Sequence, residues 1–248
     1  MKKIKAVLFD LDGTLVNSIY SLQDTMNKTM EHFGLDSITE AQTKQYVGNG
    51  YHAFVEKSLA ATAERLYREA EKWERKDEDR AFELDQQADE VMENYDDACE
   101  YYLSIFGDNC CYRAEAYPGM KESLAVLREQ GVKLGCVTNK PLAQAEKVLD
   151  TVFGAGYFDY VSADDGTHPL KPDPGVILDA CAHLSVEKES CVFVGDTKTD
   201  MDAAAAAKVP AIGCVYGFRG RKELEAHGAA VLIDTAAELA DAVVSLDA

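Results

Sequence analysis

The stretch AVLFDLDGTLVNS, residues 6–18, constrains the fold more than any other part of the chain. Four apolar residues that suit a buried strand lead directly into Asp10 and Asp12. The alternation Asp10, Leu11, Asp12 does not continue a strand face, because Gly13 and Thr14 break it at once. An unbroken apolar run of this kind belongs to a strand covered on both faces. Two carboxylates at the exit of such a strand mark a site rather than a solvated surface.

From Tyr117 onward the chain supplies partners for that strand. YPGMKESLAVLREQG reads as a helix closed by Gly131, VKLGCVT as a buried strand, and KPLAQAEKVLDTVFG as a second helix, with a short strand near YVSA. DPGVILDACAHL reads as a helix with Asp173 as N-cap and Pro174 at its first position. CVFVGD, PAIGCVYG and AAVLID read as strands, and TDMDAAAAAK as a helix between the first two. Strands alternating with helices of this length predict an α/β fold, a Rossmann-like doubly wound parallel sheet.

Between Thr14 and Tyr117 the texture is helical instead. Ile19, Leu22, Met26, Met30 and Phe33 recur at helical spacing and stop at Gly34. Ser37 and Glu40 stand at capping-box spacing. Longer helices are expected over 51–75 and 78–106. The second carries Ala81, Leu84, Ala88, Val91, Tyr95, Ala98, Tyr102 and Ile105 as one stripe, whose ordinary use is helix packing. Trp73 is expected to pack inside this block. The chain therefore reads as a discontinuous α/β core, residues 1–17 and 115–248, interrupted by a helical block over 18–114.

Composition excludes some functions. With 44 acidic and 25 basic residues the formal charge is −19, which repels nucleic acid and anionic membranes. No apolar run approaches the roughly 18 residues that span a bilayer. The start MKKIKAVLFD reads as the first strand rather than a signal peptide. The cysteines number seven, an odd count without a CxxC, and several lie in apolar runs such as KLGCVT and SCVFVG. Reduced core thiols in a cytoplasmic protein are the expected state. Adjacent Cys110 and Cys111 suit neither a metal pair nor an easy disulfide.

In open α/β sheets ligands bind outside the carboxyl ends of the strands. Those ends deliver Asp10 and Asp12, then Thr138 and Asn139 from VTNK, and Asp196 with Asp200 from GDTKTD; the HPLKPDP loop adds Lys171. Singly, each has a plain use: Thr138, Asn139 or Asp200 as a helix cap, Lys171 as a surface lysine. Together they are hard to place without a cation, since carboxylates about 4 Å apart repel by roughly 4 kcal/mol at an effective dielectric of 20. Oxygen-only donors with no clustered His or Cys favour Mg²⁺ over zinc.

DLDGTLVNS, VTNK, KPDP and GDTKTD resemble the four ordered motifs of the haloacid dehalogenase superfamily in its phosphatase branch, and the helical insertion is similar to that family's type 1 cap. The resemblance implies a small phosphorylated metabolite as substrate. It implies Asp10 as a nucleophile that forms an aspartyl-phosphate and Asp12 as the acid and base at the leaving oxygen and the hydrolytic water. Thr138, with Asn139 beside it, would hydrogen-bond the phosphoryl oxygens, and Lys171 would neutralise charge. Mg²⁺ would be held by Asp10, the backbone carbonyl of Asp12 and Asp196, with Asp200 in support.

Within that superfamily Asp12 separates phosphoryl chemistry from dehalogenation. YVGNG, VTNKP and VYGFR resemble phosphoglycolate phosphatase-like members, although the stretch from Gly50 to Tyr117 is longer than is common there. Lys208 occupies a helix end where relatives usually carry Gly. Gly48, Asn49 and Gly50 either reach over the active site or form an ordinary turn. His52, His168, Tyr216 and Arg219 have both a substrate-facing and a structural reading. The competing functions are a β-phosphoglucomutase-like phosphomutase, a pyrophosphatase or nucleotidase, and a phosphonatase using Lys57 or Lys72. A non-catalytic binding protein would be expected to lack some of the acidic and basic residues that are all present here. Either a monomer or a homodimer fits the cap stripe.

Overall fold

A computed structural model describes residues 4–246; residues 1–3 and 247–248 of the expected core segments lie outside the described residues. The chain begins with β1 (Ala6–Phe9) and β2 (Val16–Asn17), then runs through α1 (Ile19–His32), α2 (Glu40–Tyr46), α3 (Gly50–Trp73), α4 (Glu78–Glu93) and α5 (Tyr95–Asn109). It returns through β3 (Glu115–Ala116), α6 (Met120–Glu129), β4 (Lys133–Pro141), α7 (Leu142–Phe153), β5 (Tyr160–Asp164) and α8 (Gly175–His183). It ends with β6 (Cys191–Gly195), α9 (Lys198–Ala207), β7 (Ala211–Cys214), α10 (Arg221–Ala226), β8 (Val231–Ile233) and α11 (Leu239–Ser245).

Six strands form one parallel sheet in the order β5-β4-β1-β6-β7-β8, the α/β architecture expected from the sequence. β1 lies between β4 and β6, with Phe9 opposite Cys136 on one side and Val194 on the other. All four of its residues are fully buried, which is why AVLF shows no polar alternation. Val7 and Phe9 enter one hydrophobic layer with Val192 and Val194, while Ala6 and Leu8 enter the opposite layer with Cys191 and Phe193. From β1 the strand order moves outward through β4 to β5, then crosses back to β6 and outward again. That reversal opens a crevice at the carboxyl end of β1.

The five helices α1–α5 leave and re-enter through a two-residue ribbon in which Val16 pairs with Ala116 and Asn17 with Glu115. They are not insulated from the sheet. Leu22, Met26, Phe54 and Phe106 belong to the same hydrophobic cluster as Phe9 and Val194. The distal parts of α3 and α4 have a small cluster of their own, Ala70, Ala81 and Leu84.

Several local expectations are corrected. The stretch 78–106 is two helices, broken at Asn94, whose side-chain amide donates to the Glu90 carbonyl at 2.8 Å and so competes with the helical ladder. Past the break Phe106 is fully buried in place of Ile105. The capping box is Thr39 with Gln42 instead of Ser37 with Glu40. Ile38 is the reason: it is buried, and its backbone is held by the side chains of Asn27 and Gln23, which delays the first turn. The helix predicted from Asp173 starts at Gly175, whose N–H donates to Asp173 Oδ1 at 2.7 Å. Trp73 is 38% exposed at the end of α3, where it packs no interior. All seven cysteines are free thiols. Among the described residues no helix is long and apolar enough to cross a membrane.

Lys208 closes α9 with φ 60° and ψ 42°, the left-handed region that a side chain disfavours. Lys208→Gly is therefore expected to raise unfolding stability by about 0.5–1 kcal/mol without altering turnover. Urea denaturation of the two proteins checks it.

Candidate active site

The crevice at the end of β1 gathers the carboxylates that the sequence separates by almost two hundred residues. Asp10 follows β1, Asp196 follows β6, and Asp200 lies in the first turn of α9; each offers an oxygen within 4.8 Å of the others. All three are buried. Lys171, far from being a surface lysine, is 4% exposed, and its Nζ lies 2.7 Å from both Asp10 Oδ1 and Asp200 Oδ1.

Asp200 fills both of its candidate roles at once. Its Oδ1 accepts from Lys171, while Oδ2 accepts from the Asp196 and Thr197 N–H groups and the Thr197 hydroxyl. With Thr197 it forms the capping box of α9. Asn139 likewise is committed to backbone: Oδ1 accepts from the Lys171 N–H at 2.8 Å, and Nδ2 donates to the carbonyls of Lys171 and Gly48. It fixes the segment that carries Lys171. Thr138 is buried in the crevice wall.

Asp196 is set by close backbone approach. Thr14 Oγ1 donates to its Oδ1 at 3.1 Å and the Phe218 N–H to its Oδ2 at 2.7 Å. A Cβ on Gly13, where φ is 94°, would lie 2.3 Å from Asp196 Oδ2, and one on Gly217 would lie 2.3 Å from Asp196 Cβ. Only glycine fits at either position.

A small cavity of about 50 Å³ opens beside Asp10 and Asp12. Gly48 and Gly50 line it, together with Tyr51, Phe54, Tyr102 and Phe106 from α3 and α5. Asn49 turns away from it, and its Oδ1 accepts from Thr199 Oγ1 at 2.6 Å. Arg219 ties this loop from the other side, its Nη2 donating to the carbonyls of Gln45 and Val47 at 2.8 Å each. Tyr216 donates to the Thr14 carbonyl. Tyr216 and Arg219 thus hold backbone at the cap–core seam. His52 is exposed and its Nδ1 lies 3.2 Å from the Tyr95 hydroxyl; His168 is exposed and pairs with Asp165.

Sequence reasoning missed Lys140. It is 5% exposed, and its Nζ lies 3.0 Å from each carboxylate oxygen of Asp12. The available signal was a lysine in a strand whose other residues from Leu134 to Asn139 are all buried. Tyr102 belonged to the stripe read as helix packing, and it also forms part of the cavity wall.

The electrostatics are unbalanced. Four carboxylates, Asp10, Asp12, Asp196 and Asp200, face two ammonium groups, Lys140 and Lys171. Burial pushes Asp10 up to about 6, against the pull of Lys171, and Asp200 and Asp12 push it further. Burial pushes Asp196 well above the usual carboxylate range, with Asp200 and Asp10 adding to the effect. Burial alone would discharge Lys171, but Asp10 and Asp200 hold its ammonium above the ordinary lysine value. With all four ionised, two negative charges are in excess, and the oxygen donors fit one divalent cation.

The family profile described as haloacid dehalogenase-like hydrolase matches residues 7–214. The chain belongs to the haloacid dehalogenase-like hydrolases. Within that family it groups with phosphatases over nearly its whole length. It is 29% identical over 239 residues to a phosphoglycolate phosphatase of Nitrosococcus oceani, covering 96% of each chain. It is 32% identical over 237 residues to a phosphoglycolate phosphatase of Rhodospirillum rubrum, covering 96% of this chain and 90% of the other. The crystal structure of a candidate phosphoglycolate phosphatase from Lactobacillus delbrueckii superposes with a TM-score of 0.83 at 28% identity, over 97% and 98% of the two chains.

The raised carboxylates of this hydrolase have a sign that can be measured. A carboxyl whose folded value exceeds its unfolded value of 3.8 binds its proton more tightly in the folded state, so stability falls as pH rises through the interval. For Asp10 that interval is from 3.8 to about 6, and for Asp196 it extends higher. In EDTA the melting temperature is expected to drop between pH 4.5 and 7, and to drop less in Asp10→Asn. Calorimetry across that range gives the slope.

Proposed function

We propose that this hydrolase cleaves small phosphate monoesters, with 2-phosphoglycolate foremost, through an aspartyl-phosphate on Asp10 and with Mg²⁺ as cofactor. The observation that carries the reading is the pairing of Lys171 with Asp10 inside an acidic cluster that has two negative charges in excess. Lys171 fixes Asp10 Oδ1, which leaves Oδ2 as the attacking atom. That oxygen bonds to phosphorus as the ester P–O bond breaks, and Asp12 gives a proton to the departing alcohol. Asp12 then takes a proton from the water that cleaves the acyl phosphate, which restores Asp10 and releases phosphate. Thr138 and Lys171 hold the phosphoryl oxygens during both steps.

Asp10, Asp196 and the backbone carbonyl of Asp12 would hold Mg²⁺, and Asp200 supports them through Lys171 and the turn at residues 196–197. The ion supplies charge neutralisation and in-line orientation of the phosphoryl group. The helices α1–α5 act as the cap that closes over the substrate, with Gly48 and Gly50 at the lip of the cavity.

Two observations support glycolate as the leaving group. Relatives aligned along the whole chain are named phosphoglycolate phosphatases. The cavity beside Asp10 and Asp12 is walled closely by Phe54, Tyr102 and Phe106, which favours a small leaving group there. Neither cap lysine offered for the phosphonatase alternative faces the cavity: Lys57 donates to the Tyr46 carbonyl in a separate groove, and Lys72 is exposed on α3.

Asp10→Asn is expected to lower phosphate release from 2-phosphoglycolate by at least roughly 10³-fold while circular dichroism stays unchanged. EDTA should silence the wild type, and added Mg²⁺ should restore it. Turnover that persists in either case overturns the nucleophile or the metal. A panel of 2-phosphoglycolate, hexose phosphates, nucleoside monophosphates and pyrophosphate tests the substrate: a preference for one of the larger esters removes glycolate from the reading and leaves the phosphatase.

A further inference from the structure

Asp12 is the most open of the four carboxylates, its side chain 18% exposed against 10% for Asp10 and 1% for Asp200. A group that must meet both a leaving alcohol and a water molecule needs that openness. The openness leaves it few walls, and a free carboxylate rotates about χ1 and χ2. Proton transfer tolerates little of this, since donor and acceptor must stand within hydrogen-bond reach, about 2.6–3.2 Å.

Lys140 removes the freedom. Its Nζ lies 3.0 Å from Oδ1 and 3.0 Å from Oδ2, so the ammonium straddles the carboxylate and tethers it in place. The lysine is itself enclosed, with its side chain 1% exposed in the wall of β4. Its ammonium also sits 4.6 Å from the centroid of the Phe106 ring on α5. An aromatic face attracts a cation at that range. The acid–base carboxylate is thus clamped by a core lysine that is itself covered by a cap aromatic.

We propose that Lys140 is a positioning residue that orients Asp12 for proton transfer to the leaving oxygen, with Phe106 holding the lysine in place. The step is the one already described: as the ester P–O bond breaks and Asp10 Oδ2 bonds to phosphorus, the proton on Asp12 passes to the departing alkoxide. Lys140 exchanges no proton. This inference rests on the proposed phosphatase reading and adds to it a residue that none of the sequence motifs assigned.

Leaving-group dependence separates positioning from general charge balance. Ethyl, 2,2,2-trifluoroethyl and p-nitrophenyl phosphate carry no carboxylate, and their leaving groups need progressively less help from an acid. kcat/KM reports only the steps up to phosphoryl capture. In Lys140→Met it should fall at least about 30-fold for the ethyl ester and less than about 3-fold for the p-nitrophenyl ester, with the trifluoroethyl ester between. Lys140→Arg, which returns a cation, should recover part of the ethyl loss, and Phe106→Leu should lean the same way more weakly.

A uniform loss across the three esters would make Lys140 a structural counter-charge and overturn the proposal. So would a loss confined to 2-phosphoglycolate, which would make it a ligand of the substrate carboxylate. Should Lys140→Met fail to fold, Lys140→Gln gives the same ratio at nearly constant volume. Wild-type protein that turns over neither these esters nor 2-phosphoglycolate with Mg²⁺ removes the phosphatase reading, and this proposal with it; a flat leaving-group profile in an active enzyme removes this proposal alone.

Discussion

The ion pair that Lys171 makes with Asp10 and Asp200 is the constraint on which the rest of the site depends. A buried ammonium is tolerable only with carboxylates around it, and buried carboxylates only with a cation among them. Every neighbouring feature serves to keep the three in register. β1 is buried on both faces, so Asp10 leaves it in one direction. Asn139 grips the backbone of Lys171 from β4, and the capping box of α9 fixes Asp200. Removal of one member would strand the others without partners, a loss larger than the net worth of the pairs themselves.

The sheet order turns this local requirement into a location. Because β1 is flanked by β4 and β6, three separate loops reach the same point within a few residues of their strand ends. The helices then close the site without a covalent hinge beyond the short β2–β3 ribbon. What holds them is a shared apolar cluster and polar ties from core to cap, among them Asn139 to Gly48, Thr199 to Asn49, Arg219 to Gln45 and Val47, and Lys147 to Gly107. The loop over the cavity is therefore positioned from below by side chains whose neighbours are the candidate catalytic residues themselves.

Much of this was legible in the chain, and the limits have physical causes. The strands were readable because full burial removes polar alternation, and the motifs because charged residues at buried strand exits are rare. Lys171 and Asp200 could be named but not weighed, since a lysine in a loop and an aspartate in a first helical turn each have an ordinary use; Asp200 has both, one per oxygen. Lys140 escaped because its partner, Asp12, is 128 residues away and its aromatic cover, Phe106, belongs to α5 of the helical block. The break at Asn94 escaped because the apolar period runs through it unaltered, while the cause lies in one side-chain amide. Trp73 misled because size suggests burial, yet α3 outlasts the core that it packs on.

That last point bears on the hairpin of α3 and α4. Its distal half rests on Ala70, Ala81 and Leu84, a patch separate from the main interior, and Trp73 and the turn after it project into solvent. The proximal half carries the residues that face the cavity, such as Tyr51 and Phe54. Length in this hairpin is thus uncoupled from chemistry: whole turns can be gained or lost at the tip in paired steps while the crevice is untouched. Descendants of this chain are free to drift there, and an engineer has a handle for grafting or labelling that sits well away from the reacting atoms.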